Sequence, residues 1–353
     1  MEEELDFNEV LERAQQHHEA EEFELALSYY GGALEFLLNG EPDDLSDEEF
    51  ENFSLNLLSL FNNTGSCYEQ LGEYGAASDY YLEGVERITQ LMEKGANNEI
   101  LRRYHRTVEN LARVYGLSGR AEEALAAFED CLHYSQVFHE EQNDDFSWAS
   151  VGYVYDLISN LYADLGRLQE AYDTAFKMLK LHEAMYKEYR EWRDQVDIAR
   201  AHHFLGEIAE RQFKFDKARL HFAESLHARE LQREGNPGYE SDFCVISSNE
   251  RLARLLLSNR DLAAAEPYLN TALQLFEEVE WHENQWDYRL FANLFANCAQ
   301  WHQLTGQLSE AKEFADEARN ALKWLEEANE MTQEMVRVED IIRDITHTPT
   351  SRN

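Results

Sequence analysis

The chain has 353 residues, 44% of them apolar, with 70 Asp and Glu against 31 Lys and Arg and a net charge of −39. That apolar fraction argues against wholesale disorder, and 4 Pro and 16 Gly are too few to turn a β-rich chain of this length. The acidity disfavours direct binding to nucleic acid or to an acidic membrane surface, because no counterions are released from phosphates, while basic partners are steered in.

From its start, "MEEELDFNEV" is acidic and has no apolar core run, so it does not read as a signal peptide. No uninterrupted apolar stretch is long enough to cross a membrane. The next stretches share one shape: "AEEFELALSYY" from Ala20, "LGEYGAASDYY" from Leu71, "SGRAEEALAAF" from Ser118, "LGRLQEAYDTA" from Leu165, "QFKFDKARLHF" from Gln212, "NRDLAAAEPYL" from Asn259 and "TGQLSEAKEFA" from Thr305. Each has Ala at its seventh place (Ala26, Ala77, Ala124, Ala171, Ala218, Ala265, Ala311), at spacings of 51, 47, 47, 47, 47 and 46. A near-constant period of this size is the mark of a stacked array. The Ala is the place where two helices of a hairpin press together. The residue four later (Tyr81, Phe128, Phe222) shares its helix face and fills the gap to the next hairpin. Gly72, Gly119, Gly166 and Gly306 stand where a left-handed residue ends the preceding helix. The intervening sequence stays helix-like, which predicts helices of about 20 residues, each about 30 Å long. Polar connections such as "NGEPDDLSDEE", "EKGANNE" and "REGNPGYESD" separate the hairpins; the first lacks the Gly and closing Glu of an EF-hand.

These residues resemble the tetratricopeptide repeat (TPR) superfamily. The second repeat carries the pattern in Gly65, Tyr68, Gly72, Tyr74, Ala77 and Tyr81, and the fifth in Gly206, Ala209, Phe215, Ala218 and Phe222. The long period is similar to that of kinesin light chain repeats, as is "AAAEPYLNTAL", with Pro267 early in its helix, where a missing amide removes little. The resemblance implies an all-α fold, an α-solenoid of about seven helix hairpins in a right-handed superhelix. The array is expected to cover residues 1–320, followed by a capping or coiled-coil helix at 321–346 and a disordered tail at 347–353.

No Walker loop, GxGxxG, GxSxG or HExxH is present, and no acid–base set converges, so the reading is of a non-enzyme without cofactor or metal. Neighbouring His17–His18 and His202–His203 point about 100° apart on a helix and do not chelate as pairs. Cys67, Cys131, Cys244 and Cys298 are too far apart for a zinc knuckle or a CxxC pair, and read as reduced side chains of a cytoplasmic protein. The TPR alignment places the binding groove on Asn62, Asn63, Arg106, Asn110, Arg113, Asn160, His203, Phe204, Arg251, Arg254, Asn293, Asn297 and Gln300. Asn63, Asn110 and Asn297 match the place from which family members hold a peptide backbone by its amides. Leu157 and Phe204 interrupt that series and leave room for an apolar anchor. Arg106 with Arg113, and Arg251 with Arg254, either clamp carboxylates of a ligand or pair internally with Glu such as Glu109 and Glu250.

Near the end, Trp324, Ala328, Met331, Met335, Val338, Ile342 and Ile345 step as a heptad seam, which either caps the last hairpin or pairs with another chain as a homodimer. The expected function is a protein-interaction scaffold or adaptor, a regulator or subunit of a complex, holding a peptide or helix of another protein, possibly a basic one. The alternative is an acidic decoy that masks the basic surface of a nucleic-acid-binding protein.

Overall fold

The computed structural model describes residues 6–39, 46–92, 98–142, 145–189, 192–279, 287–328 and 330–347. Of the acidic connection at 39–49, residues 40–45 lie outside the described residues, as do 348–353 of the tail expected at 347–353, whereas His347 is still helical. Fifteen helices and no strand are described, and none of these helices is long and apolar enough to cross a membrane. The chain divides into two compact units, 1–181 and 182–353. The first holds α1 (Phe7–Glu19), α2 (Phe23–Asn39), α3 (Asp47–Gln70), α4 (Tyr74–Met92), α5 (Asn98–Ser118), α6 (Ala121–Gln142), α7 (Asp145–Asp164) and the greater part of α8 (Leu168–Tyr189). The second holds α9 (Trp192–Arg211), α10 (Phe215–Gly235), α11 (Tyr239–Ser258), α12 (Leu262–Glu278), α13 (Tyr288–Leu304), α14 (Leu308–Glu327) and α15 (Gln333–His347).

Within each unit the helices pair in order. In the first, α3 meets α4 and α5, and α5 meets α6 and α7; in the second, α11 meets α12 and α13. The seven Ala at the repeat position are all fully buried. Their role is steric. A Cβ on Gly65 would lie 2.5 Å from the Tyr81 ring, and one on Gly206 would lie 2.6 Å from the Phe222 ring. In both units, then, the aromatic four residues after the Ala fills a space that a small residue on the partner helix leaves open.

The turn inside each hairpin is equally regular. Glu21, Gly72, Gly119, Gly166, Phe213, Arg260 and Gly306 all have positive φ, between 59° and 84°. At six of these turns the amide after the left-handed residue reaches back to the helix, as in Glu73 to Tyr68 (2.9 Å), Arg167 to Tyr162 (2.8 Å) and Lys214 to Ala209 (2.8 Å). That bond satisfies a carbonyl the helix end would otherwise leave open. The left-handed turn is therefore a property of the repeat, and glycine is only its most comfortable occupant.

Two expectations are corrected. Pro267 is the sixth residue of α12, past the first turn, so it does remove one intrahelical bond. The stretch 321–346 is not one helix, and the expected boundary at 320 falls inside α14. α14 ends at Glu327 with Ala328 as its cap, and α15 begins at Gln333. The heptad seam is cut there: Trp324, Ala328 and Met331 are exposed, while Met335, Val338, Ile342 and Ile345 are buried. α15 lies against α13 and α14.

Candidate functional site: a groove in the first unit

A groove of about 960 Å³ opens along α3 and α5 of the first unit, with Gln15 of α1, Tyr81 of α4 and Tyr153 of α7 at its margins. Five residues expected from the sequence line it: Asn62, Asn63, Arg106, Asn110 and Arg113. They meet because each helix places one side chain per turn on the same face. Asn62 Nδ2 donates to Thr107 Oγ1 at 2.7 Å, Asn110 Nδ2 to Asn62 Oδ1 at 3.0 Å, and Arg113 Nη2 to Asn110 Oδ1 at 3.1 Å. Arg113 is also paired with Glu69. Asn63 stands beside the buried Tyr30, whose phenol is pushed up to about 12, chiefly by burial. Each amide in this relay keeps unused hydrogen-bonding capacity, since a carboxamide offers two donors and two lone pairs.

The groove also contains residues the sequence reading did not select: Ser59, Ser66, Glu99, Arg102, Arg103, His105 and Glu109. The signal for them was available. Arg102 and Arg103 precede Arg106 by four and three residues, so all three share a face of α5. Arg102 Nη1 and Arg103 Nε hold the two oxygens of Glu99 at 3.1 and 3.0 Å, and Arg103 Nη1 donates to Ser59 Oγ at 2.7 Å. His105 lies deeper, 3.0 Å from Ser135 Oγ, and burial lowers its pKa to about 4. Asn160 is exposed on α7, where its amide bonds Asp156, and it does not line the groove.

In the second unit the corresponding residues serve the fold itself. Arg251 is buried over the Phe222 ring (4.6 Å) and paired with Glu210, with Glu207 at 3.8 Å. Arg254 lies 3.7 Å from Glu250. A clamp on a ligand by these two arginines is thus not available; they pair internally. Burial opposes ionisation of Glu207, but the hydrogen bond from His203 and the charges of Arg251 and Arg254 hold its carboxyl below the usual range. Asn297 is fully buried, donating to Glu250 Oε1 at 2.7 Å and accepting from Arg337 of α15 at 2.8 Å. Asn293 accepts from the same guanidinium at 3.2 Å. Phe204 and Gln300 are half-buried. His202 and His221, distant in sequence, face each other with Nδ1 atoms 3.0 Å apart. No group of three or more metal-ligating side chains occurs among the described residues. Cys67, Cys131, Cys244 and Cys298 are all free thiols, and burial pushes Cys67 up to about 11.

Helix hairpins stacked on a buried small residue, each closed by a left-handed turn, define the tetratricopeptide repeat fold, and residues 58–89 match the tetratricopeptide repeat family model. The chain is an all-α solenoid of this type. The crystal structure of BtubC (BKLC) from P. vanneervenii is similar over 70% of this chain and 91% of that one, at 19% identity and a TM-score of 0.56. A signal transduction ATPase (STAND) protein from Pyrococcus horikoshii, described as having a tetratricopeptide repeat sensor, is similar over 96% of this chain and 44% of that one, at 12% identity and a TM-score of 0.55. At these identities the likeness is one of fold. No curated protein sequence matches the chain.

Proposed function

We propose that the protein is a non-enzymatic interaction scaffold of the cytoplasm, an adaptor or a subunit of a complex, whose first unit holds an extended segment of another protein. The observation that carries this reading is the groove along α3 and α5, with Asn62 and Asn110 tied into place but not saturated and Asn63 lining the same face. An extended peptide presents alternating backbone donors and acceptors, which suits a row of pre-oriented carboxamides. The seat lies in the first unit, because the second spends the equivalent residues Arg251, Asn293 and Asn297 on its own stability. A partner steered by overall charge to the acidic exterior would leave these amides unused, so the groove favours the scaffold over the decoy.

The test is an array of synthetic twelve-residue peptides probed with the labelled full chain. Changing Asn63 and Asn110 together to Ala is expected to lower retention across the array at least about tenfold, the scale of losing one or two well-placed hydrogen bonds. Retention indifferent to both changes would reject the groove as the seat.

A further inference from the structure

A second cavity, about 270 Å³ in volume, opens in the second unit among α12, α13 and α14. Its walls are rings: Phe276 of α12, Tyr288, Phe291 and Phe295 of α13, and Trp324 of α14. Phe276 stands edge-on to Phe291 at 4.9 Å and to Phe295 at 5.4 Å, and Trp324 stacks on Tyr288 at 5.5 Å. Phe291 and Phe295 follow a face of α13 about 200° from Asn293 and Asn297, so the cavity lies away from the repeat positions that correspond to the groove. Trp324 is 52% exposed, although an indole is among the largest apolar surfaces a side chain offers. Two acceptors join the rings, the carboxylate of Glu317 and the carboxamide of Asn320, three residues apart and so on one face of α14. Glu317 is exposed and has no hydrogen bond or ion pair among the described residues. The neighbouring cations are answered elsewhere: Arg319 by Asp316, Lys323 by Glu327 and Arg289 by Glu330.

We propose that this cavity receives an arginine side chain of a partner protein, its guanidinium against Trp324 and its charge answered by Glu317. The site is independent of the groove in the first unit. The molecule supplies its own templates. Arg251 lies 4.6 Å over the Phe222 ring and pairs with Glu210; Arg167 lies 4.6 Å over Tyr162 and pairs with Glu170; Arg120 lies 5.5 Å over Tyr115 and pairs with Glu123. Each joins a guanidinium, a ring and a carboxylate. The cavity provides rings and a carboxylate, and among the described residues no Lys or Arg lines it. Its chemistry favours arginine over lysine. A guanidinium is planar and weakly hydrated, so it enters an apolar space and stacks on a ring at less cost than an ammonium. Its fork also reaches two acceptors at once, which matches Glu317 and Asn320. The volume falls below the roughly 300–1,000 Å³ of small-molecule sites and suits a single side chain. A net charge of −39 draws basic segments to the surface, and the cavity then sorts among their cations.

The probe is a capped peptide, Gly–Ser–Gly–Arg–Gly–Ser–Gly, titrated into the isotope-labelled full chain. The indole N–H resonance of Trp324, assigned by its loss in Trp324→Phe, is followed. Counterpart peptides carry Lys, or citrulline as the neutral shape of arginine, at the centre. The arginine peptide is expected to shift the resonance saturably below about 10 mM, the scale of one side chain held by a ring and a carboxylate. The lysine peptide should bind about fivefold more weakly and the citrulline peptide about tenfold more weakly. Arginine and lysine peptides carry the same charge, so attraction to an acidic chain in general treats them alike. Glu317→Gln should weaken arginine binding about tenfold, and unchanged melting shows that the variant folds. Equal affinity for the arginine and lysine peptides, or arginine binding indifferent to Glu317→Gln, overturns the proposal in favour of diffuse attraction. Citrulline bound as well as arginine overturns the cationic guest in favour of an uncharged one. If no peptide moves the resonance saturably, the site falls, while the groove reading stands on its own test at Asn63 and Asn110.

Discussion

The two units use the same repeat positions for opposite purposes. In the first, Asn63, Asn110 and Arg106 line a groove and are partly or wholly open to a ligand. In the second, Asn293, Asn297 and Arg251 are buried, and α15 places Arg337 on both asparagines. The difference comes from what stands opposite. Arg337, Glu210 and Glu250 supply internal partners in the second unit, whereas the face of α5 around Arg106 offers mainly other arginines. An alignment position therefore places a side chain on a face; the neighbouring helix decides whether that face is a seat or a seam.

The largest test of this contrast is the pair Asn297→Ala and Asn62→Ala, each followed by denaturant unfolding. Asn297 serves a buried carboxylate and a guanidinium, so its loss should cost about 3 kcal/mol, the scale of leaving charged groups short of a partner inside a protein. Asn62 is half-buried and water can replace it, so its loss should cost under about 1 kcal/mol. Equal costs would erase the distinction between the units.

The fold was legible because it depends on spacing: seven alanines at a steady interval locate seven contacts that must be small, and all seven are buried. The groove of the first unit was legible for the same reason, since Asn63 and Asn110 recur at the repeat interval. Long-range partners were not legible. Nothing local in "NERLARLL" says that Arg251 will lie over Phe222 and bond Glu210, 41 residues away. The heptad series from Trp324 to Ile345 misled because its period survives a break: the turn at Ala328 takes residues out of helix without disturbing the count. Arg102 and Arg103 lie outside the groove positions of the family pattern, and only the helical face they share with Arg106 on α5 brings them into the lining.

A smaller contrast concerns pH. His105 is buried under the groove, and burial holds its pKa at about 4, against 6.5 when unfolded. The unfolded chain binds this proton first, so stability is complete above pH 6.5 and falls as pH drops toward 4. Between pH 7 and pH 5 the expected loss is about 2 kcal/mol. It should appear as the difference between the native chain and His105→Phe in unfolding of the first unit followed at both values. A pH response identical in the two proteins would show that this imidazole is solvated.

The smallest expected effect has the opposite sign. In the first unit three of four hairpin turns have Gly at the left-handed position, whereas in the second Phe213 and Arg260 occupy two of three. Phe213 has φ of 59° and is 80% exposed, so it carries backbone strain and gains little from burial. The turn keeps this geometry because the Lys214 amide must still reach the Ala209 carbonyl at 2.8 Å. Phe213→Gly removes the side-chain clash but gives the unfolded chain more freedom, and the two terms partly cancel. The net is expected to be a gain of about 0.5–1 kcal/mol, read as a small rise in Tm of the second unit. Gly72→Phe is the reciprocal change and should lose about as much or more, because it adds the strain to a turn that now avoids it. If Phe213→Gly instead destabilises the protein, the exposed ring contributes packing that its accessibility conceals, and the two units differ in their turns as well as in their grooves.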